Sequence, residues 1–452
     1  EFGLDKCAVL EIKAGVKADC DGIKLPDGNM IKEAEEMGYK YLGALEGAGI
    51  KTKEMKEIVR KEYLRRTKLV AKSKLYAGNM MRAVNTWAVS VVRYTAGILD
   101  WSDAELKAMD VKTRKILTMN GAFHMRSSVD RLYMKRKDGG RGLISVEQCV
   151  RSEEAGLHEY IVASEEWMLK EVAADIVMGE SKVEYKKRVE KERAERLAAK
   201  KLHGKFFREV KEVADERSWQ WLKGGYLDKR NEGFVCAAQE NVLKTRCCVA
   251  TVMKQGGNVN CRLCGKYAET VGHLVSGCEM LAQRKYRRRH DKIGLRVYWE
   301  LCGKYGLKRS ERWYEEVPDG VRKSADGRIE VRWDQKLVTP TALEANRPDV
   351  VVVDKVNGKW TLVDFSVPFD RNVVQKEEEK LRKYDALAAQ VRRQHRVRTD
   401  VVPIVVGALG VVSKRLDRWL NRLGIGDVVG GLQTSAIIGT AAIVRKVLGN
   451  HV

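Results

Sequence analysis

Residues Arg347 to Tyr384 read RPDVVVVDKVNGKWTLVDFSVPFDRNVVQKEEEKLRKY, and the fold turns on this stretch. A valine run, an Asn-Gly pair and a second apolar run ending in an acid predict a β-hairpin followed by a helix. Asn357-Gly358 predicts a two-residue turn, because both central positions of such a turn need positive φ. In the register this sets, Val356 pairs with Lys359, Val351 faces Asp364 and Asp349 faces Ser366. Side chains alternate along a strand, so Asp349, Val351 and Asp364 share one face while Asp354 points to the other. Asp349 and Asp364 are then diagonal neighbours, roughly 7–8 Å apart. Two carboxylates so placed can share one Mg²⁺, a hard ion that takes oxygen ligands and keeps several waters. On the helix, Glu377, Lys380 and Tyr384 fall at i, i+3 and i+7, on one side with Val373 and Leu387. The plainer alternative is that the acids simply open and close a valine-rich hairpin.

Composition sets the class of partner. The chain has 452 residues, enough for about three domains, and a net charge of +23 that points to a polyanion, most economically nucleic acid. Ten cysteines in a long chain without a signal peptide read as reduced thiols plus a metal site. The longest apolar run, Val401 to Val412, is far short of the ~20 residues a membrane helix needs, and fits a buried strand.

Cys261-x2-Cys264-x8-His273-x4-Cys278 offers three thiolates and one imidazole, a closed tetrahedral set for structural Zn²⁺. A finger this small has no core of its own and is expected to be ordered largely by its metal. Cys236, Cys247, Cys248 and Cys302 lack a comparable partner set and default to buried thiols. Directly after the finger, Arg284, Lys285, Arg287, Arg288, Arg289 and His290 form a basic patch suited to phosphates. Arg131 to Gly142 (RLYMKRKDGGRG) is a basic loop broken by Gly-Gly, readable as a phosphate contact or as a solvated turn. The mixed-charge run Ser181 to Lys201 predicts an exposed connecting helix, and Trp219, Trp221 and Phe234 are expected in a core.

Near the start, Phe2 to Leu10 and Gly38-Tyr39-Lys40-Tyr41-Leu42-Gly43 are strand-like. In order, these strands, a helical stretch, the zinc motif, the basic patch and Arg-Pro-Asp-x14-Asp resemble one family. It is the C-terminal half of non-long-terminal-repeat retrotransposon polyproteins with a reverse transcriptase and a restriction-like endonuclease, of the kind inserting into ribosomal RNA genes. A chain opening on Glu1-Phe2-Gly3 is read as the later part of something longer. The resemblance implies a multidomain α+β chain. Residues 1–50 would be the end of a reverse-transcriptase palm, 51–181 a helical thumb, 182–249 a basic helical linker and 250–290 the zinc knuckle with its basic patch. A connector over 291–340 would lead to an α/β restriction-endonuclease-like core with a mixed sheet over 341–412, then C-terminal helices over 413–452.

The resemblance also implies roles. Lys6 would lie near the incoming nucleotide's phosphates, and Tyr41, Leu42 and Gly43 would form the primer grip. The 452 residues contain no Asp-Asp pair, so the polymerase carboxylates would lie upstream. Asp349 and Asp364 would hold Mg²⁺. Restriction-like folds place a lysine two residues after the second acid, where this chain has Ser366; the family moves the basic group to the next helix, which points to Lys380 with Tyr384 nearby and Glu377 in support. Target DNA and element RNA would be the partners and the nucleus the place of action, with dimerisation on DNA left open. A decayed, non-catalytic nucleic-acid binder is the rival expectation.

Overall fold

The computed structural model describes residues 7–34, 39–46, 49–176, 179–213, 216–311, 314, 316–318 and 320–449. The chain is mixed α+β and divides into two compact units. The first draws on residues 1–73, 82–117 and 144–190, the second on 74–81, 118–143 and 191–452.

The first unit opens with short hairpins and continues as helices. Tyr39–Tyr41 pairs with Ala44–Glu46 through Leu42 and Gly43, whose φ values of 44° and 87° give the two-residue, positive-φ turn that right-twisted strands favour. Lys6 lies outside the described residues. The helix Thr52–Lys72 buries Met55, Val59, Tyr63, Thr67 and Val70, spaced by four and three residues as an amphipathic helix requires. Inside it the Tyr63 hydroxyl meets that of Thr113 at 2.8 Å. Asp110 accepts from the Val146 and Glu147 amides at the start of the helix Val146–Ala163, and burial pushes its carboxyl up to about 6.

The second unit is built on a five-stranded sheet. Its strands are β1 (Val321–Lys323), β2 (Ile329–Trp333), β3 (Val350–Asp354), β4 (Lys359–Ser366) and β5 (Arg398–Val405), in spatial order β5-β4-β3-β2-β1. Only β4 and β5 run parallel. β1 and β2 come from the segment expected to be a mere connector, so the sheet is wider than residues 341–412 supply. One face carries Val351, Val353, Trp360 and Leu362 against Leu387, Ala388 and Val391 of α2 (Val373–His395). The other carries Val350, Val352, Val363 and Phe365 against α1 (Arg287–Lys304), α3 (Leu416–Leu423) and α4 (Val429–Leu448). A Cβ at Gly294 of α1 would come within 2.9 Å of the Phe365 ring, so the close seat of this helix depends on glycine.

The turn between β3 and β4 departs from the expected form. Lys359 pairs with Asp354, not Val356, so residues 355–358 form a four-residue loop. Of Asn357 and Gly358, only Gly358 has positive φ, at 56°. The cause is Asp354, whose carboxylate accepts from the Asn357 amide at 2.9 Å and from its side-chain nitrogen at 2.7 Å. An aspartate that bonds the backbone a few residues on builds its own turn and withdraws Asn357 from the αL position.

The loop Arg131 to Gly142 is neither a solvated turn nor a phosphate contact at its two ends. Arg131 and Arg141 are 1% and 2% exposed. Arg141 reaches Glu232 at 2.9 Å, Arg136 pairs with the same carboxylate, and Arg131 bonds the Gly139 and Cys236 carbonyls. Although burial opposes it, the paired guanidinium charges hold the fully buried Glu232 below the usual carboxylate range. Glu232→Ala strands two arginines, so we expect it to lower the unfolding free energy by about 3–5 kcal/mol. A urea midpoint matching that of the unaltered chain would contradict this.

Candidate functional site

Beyond the last ladder pair, Val350 with Val363, the β3–β4 register sets Asp349 directly across from Asp364. The diagonal expected from a two-residue turn is thus replaced by face-to-face opposition. The shared face survives because the register moves by two residues, which preserves the alternation of side chains.

Each acid is held by named groups. The His290 ring nitrogen Nε2 lies 3.2 Å from Asp349 Oδ2 and 3.1 Å from the Phe365 carbonyl, and the Phe365 amide donates to the same Oδ2 at 2.7 Å. His290 Nδ1 meets Asp291 at 3.1 Å. Burial works against a charged imidazole here, but the two flanking carboxylates outweigh it and push the His290 pKa up to about 10. Burial likewise opposes the Asp349 carboxylate, and His290 overcomes it to hold the acid below its ordinary range.

Asp364, 3% exposed, is served by α2. Tyr384 donates its hydroxyl to Oδ1 at 2.6 Å, Lys380 forms an ion pair with Oδ2, and Lys383 donates to the Tyr384 oxygen at 2.9 Å. Burial and then the Asp364 charge keep the Tyr384 phenol firmly protonated. Lys380 thus touches the second acid from the neighbouring helix, while Ser366, at the usual lysine position, makes no hydrogen bond to either carboxylate among the described residues. Glu377 is fully buried and accepts from Ser413 at 2.5 Å, away from the acid pair. Sequence reasoning missed His290 as the partner of Asp349, having placed it in the phosphate patch. It also missed Lys383. No periodicity marks the first, since it sits on the opposite face of the sheet.

Cys261, Cys264, His273 and Cys278 bring their ligand atoms within 4.8 Å of one another, the sole such group of three or more His, Cys, Asp or Glu among the described residues. Bonds of about 2.3 Å to sulfur and 2.0 Å to nitrogen give tetrahedral edges of about 3.8 and 3.5 Å. The Cys261–Cys278 sulfurs lie 3.9 Å apart, and Cys264 Sγ lies 3.4 Å from His273 Nε2. The set can therefore hold zinc. Around it, the Leu263 amide points at Cys261 Sγ at 3.4 Å, and Gly265, with φ of 69°, closes the turn. The motif is no independent finger, however. Cys261, Leu274, Val275 and Cys278 pack in one core with Phe234, Ile443 and Val444, so apolar burial orders the segment as well as any metal.

The basic patch divides. Arg284, Arg287 and Arg288 are exposed, and Lys285 lies against Lys446, whose charge lowers its pKa. Arg289 faces inward at 2% exposure, donating to Thr440 at 2.8 Å and to the Val367 carbonyl at 3.1 Å. Its expected role on phosphate gives way to a structural one, because the helical turn carries it from the solvent side to the core. Arg288→Ala, at an exposed side chain, should leave the melting curve alone. Arg289→Ala should instead cost roughly 2 kcal/mol of stability, read by thermal melting.

The chain matches no family model and no curated protein. Among the described residues, no helix is long and apolar enough to cross a membrane.

Proposed function

We propose that the second unit is a metal-dependent DNA endonuclease, and that the chain is part of a non-long-terminal-repeat retrotransposon polyprotein. It would bind target DNA and element RNA in the nucleus and nick the DNA to prime reverse transcription. The observation carrying this reading is the opposition of Asp349 and Asp364 at the end of adjacent strands, with Lys380 on the second acid.

The residues fit Mg²⁺, which commonly takes one or two protein carboxylates and completes its shell with water and phosphate. Asp349 Oδ1 has no hydrogen-bond partner among the described residues, and Asp364 stands opposite it. When bound, the ion polarises the phosphate and acidifies an attacking water. His290 and the Phe365 amide aim the Asp349 carboxylate. Tyr384 does the same for Asp364. Lys380, released from Asp364, would orient the water or offset charge on the phosphorus oxygens. The water oxygen bonds to phosphorus, the P–O3′ bond breaks, and the departing O3′ takes up a proton to become the primer hydroxyl. Zinc would brace the knuckle that presents Arg284, Arg287 and Arg288 to phosphates.

A nucleic-acid binder without cleavage is the second reading, favoured by the pairing of Asp364 with Lys380 and Tyr384. Supercoiled plasmid incubated with the protein and Mg²⁺ separates the two. Open circles that vanish with chelator support the nuclease; plasmid that binds yet stays supercoiled supports the binder.

A further inference from the structure

Val367–Asn372, joining β4 to α2, turns its side chains alternately in and out. Pro368 and Asp370 are buried, whereas Phe369 and Asn372 are half-buried and Arg371 is exposed. The inward groups pin the segment. Asp370 accepts from the Leu409 amide at 2.9 Å and from the Val411 amide at 3.0 Å, and the Pro368 carbonyl accepts from Ala408 at 2.8 Å. A segment fixed this firmly displays its outward side chains in set positions.

Those side chains stand between two cavities. One reaches the metal centre at His273; the other reaches His290, the partner of Asp349, and Lys376. Both are lined by Ser276, Phe369 and Asn372, so the two cavities adjoin at these residues and form a trough from the knuckle to His290. The Phe369 ring sits at the junction, with the Arg371 guanidinium 5.7 Å from its centre. Arg371 pairs with Glu209 at 3.6 Å and Lys376 with Glu379 at 2.6 Å; of the four side chains Glu209 is the most covered. Exposed pairs of this kind contribute little, so either cation can exchange its carboxylate for a phosphate at small cost.

We propose that this trough holds a single nucleic-acid strand between the knuckle and His290, the partner of Asp349, with an unpaired base stacked on Phe369 and flanking phosphates on Arg371 and Lys376. An aromatic face serves only a base released from its pair, and stacking of this sort tolerates any sequence. The proposal rests on the nuclease reading for the purpose of the path, but not for its occupancy.

The test is fluorescence anisotropy with a labelled 20-residue oligothymidine, without Mg²⁺, on the full chain. Phe369→Leu, which keeps apolar packing but removes the ring, and Arg371→Ala should each weaken binding by about tenfold. Phe369→Tyr should restore it. A 20-base-pair duplex should be little affected by Phe369→Leu. Unchanged oligothymidine binding in Phe369→Leu and Arg371→Ala overturns the proposal. So does an equal loss for single strand and duplex, or a loss that Phe369→Tyr does not reverse. Oligothymidine binding that behaves as expected, in a protein that never nicks plasmid, leaves the trough standing and removes the nuclease.

Discussion

Asp349→Asn and Asp364→Asn are each expected to reduce Mg²⁺-dependent plasmid nicking by about 10³-fold or more. A carboxylate that places a divalent ion against the scissile phosphate supports several kcal/mol of transition-state stabilisation, and each 1.36 kcal/mol is a factor of ten. Asparagine is the right replacement because it keeps the volume. Alanine at position 364 would leave Lys380 and Lys383 beside an uncharged cavity, and the loss of fold would hide the loss of chemistry. Lys380→Met should lower the rate by about 10²-fold, in line with removal of one well-placed catalytic group. Tyr384→Phe should cost less, since its hydroxyl only aims Asp364 and meets no reacting atom. Nicking by either asparagine variant at the unaltered rate would remove that acid, and with it the two-carboxylate site, from the mechanism.

The second large effect concerns the cysteine–histidine centre. Purified protein should carry about one zinc per chain, and Cys278→Ser should abolish it. Zinc binding contributes more than 10 kcal/mol in isolated fingers, where nothing else orders the chain. Here Leu274 and Val275 already sit in a core with Phe234 and Ile443, so part of the order persists without metal. A residual loss of about 4 kcal/mol, at 2–4 °C per kcal/mol for a unit of this size, predicts a fall in melting temperature of roughly 10 °C. The four ligands end nine residues before Arg287, where α1 begins and leads at once to His290, so nicking should fall with the metal as well. A metal-free protein with an unaltered melting curve would refute the assignment.

How far the molecule could be read from its sequence varied with the kind of signal. The valine runs and the helical spacing of Lys380 and Tyr384 are local patterns, and the side of the sheet on which the acids lie follows from alternation alone. The zinc set was legible because ligand chemistry and spacing coincide. What escaped depended on contacts between distant segments. Nothing near Arg289, Arg131 or Arg141 says that an arginine will be buried; Thr440, Glu240 and Glu232 decide it from far along the chain. Charged short strands such as Val321–Lys323 resemble loop until a partner strand supplies their hydrogen bonds. The Asn-Gly pair misled because a neighbouring aspartate competed for the same amide.

That aspartate gives the turn a further significance. Residues 355–358 are remote from the acids, yet their number decides which residue stands opposite Asp364. Adding or removing one residue would throw one acid to the far side of the sheet. Adding or removing two would keep both on the same side and slide them apart by a single rung. The loop is thus a vernier for the distance between two carboxylates, and insertions there would change that distance without touching either acid.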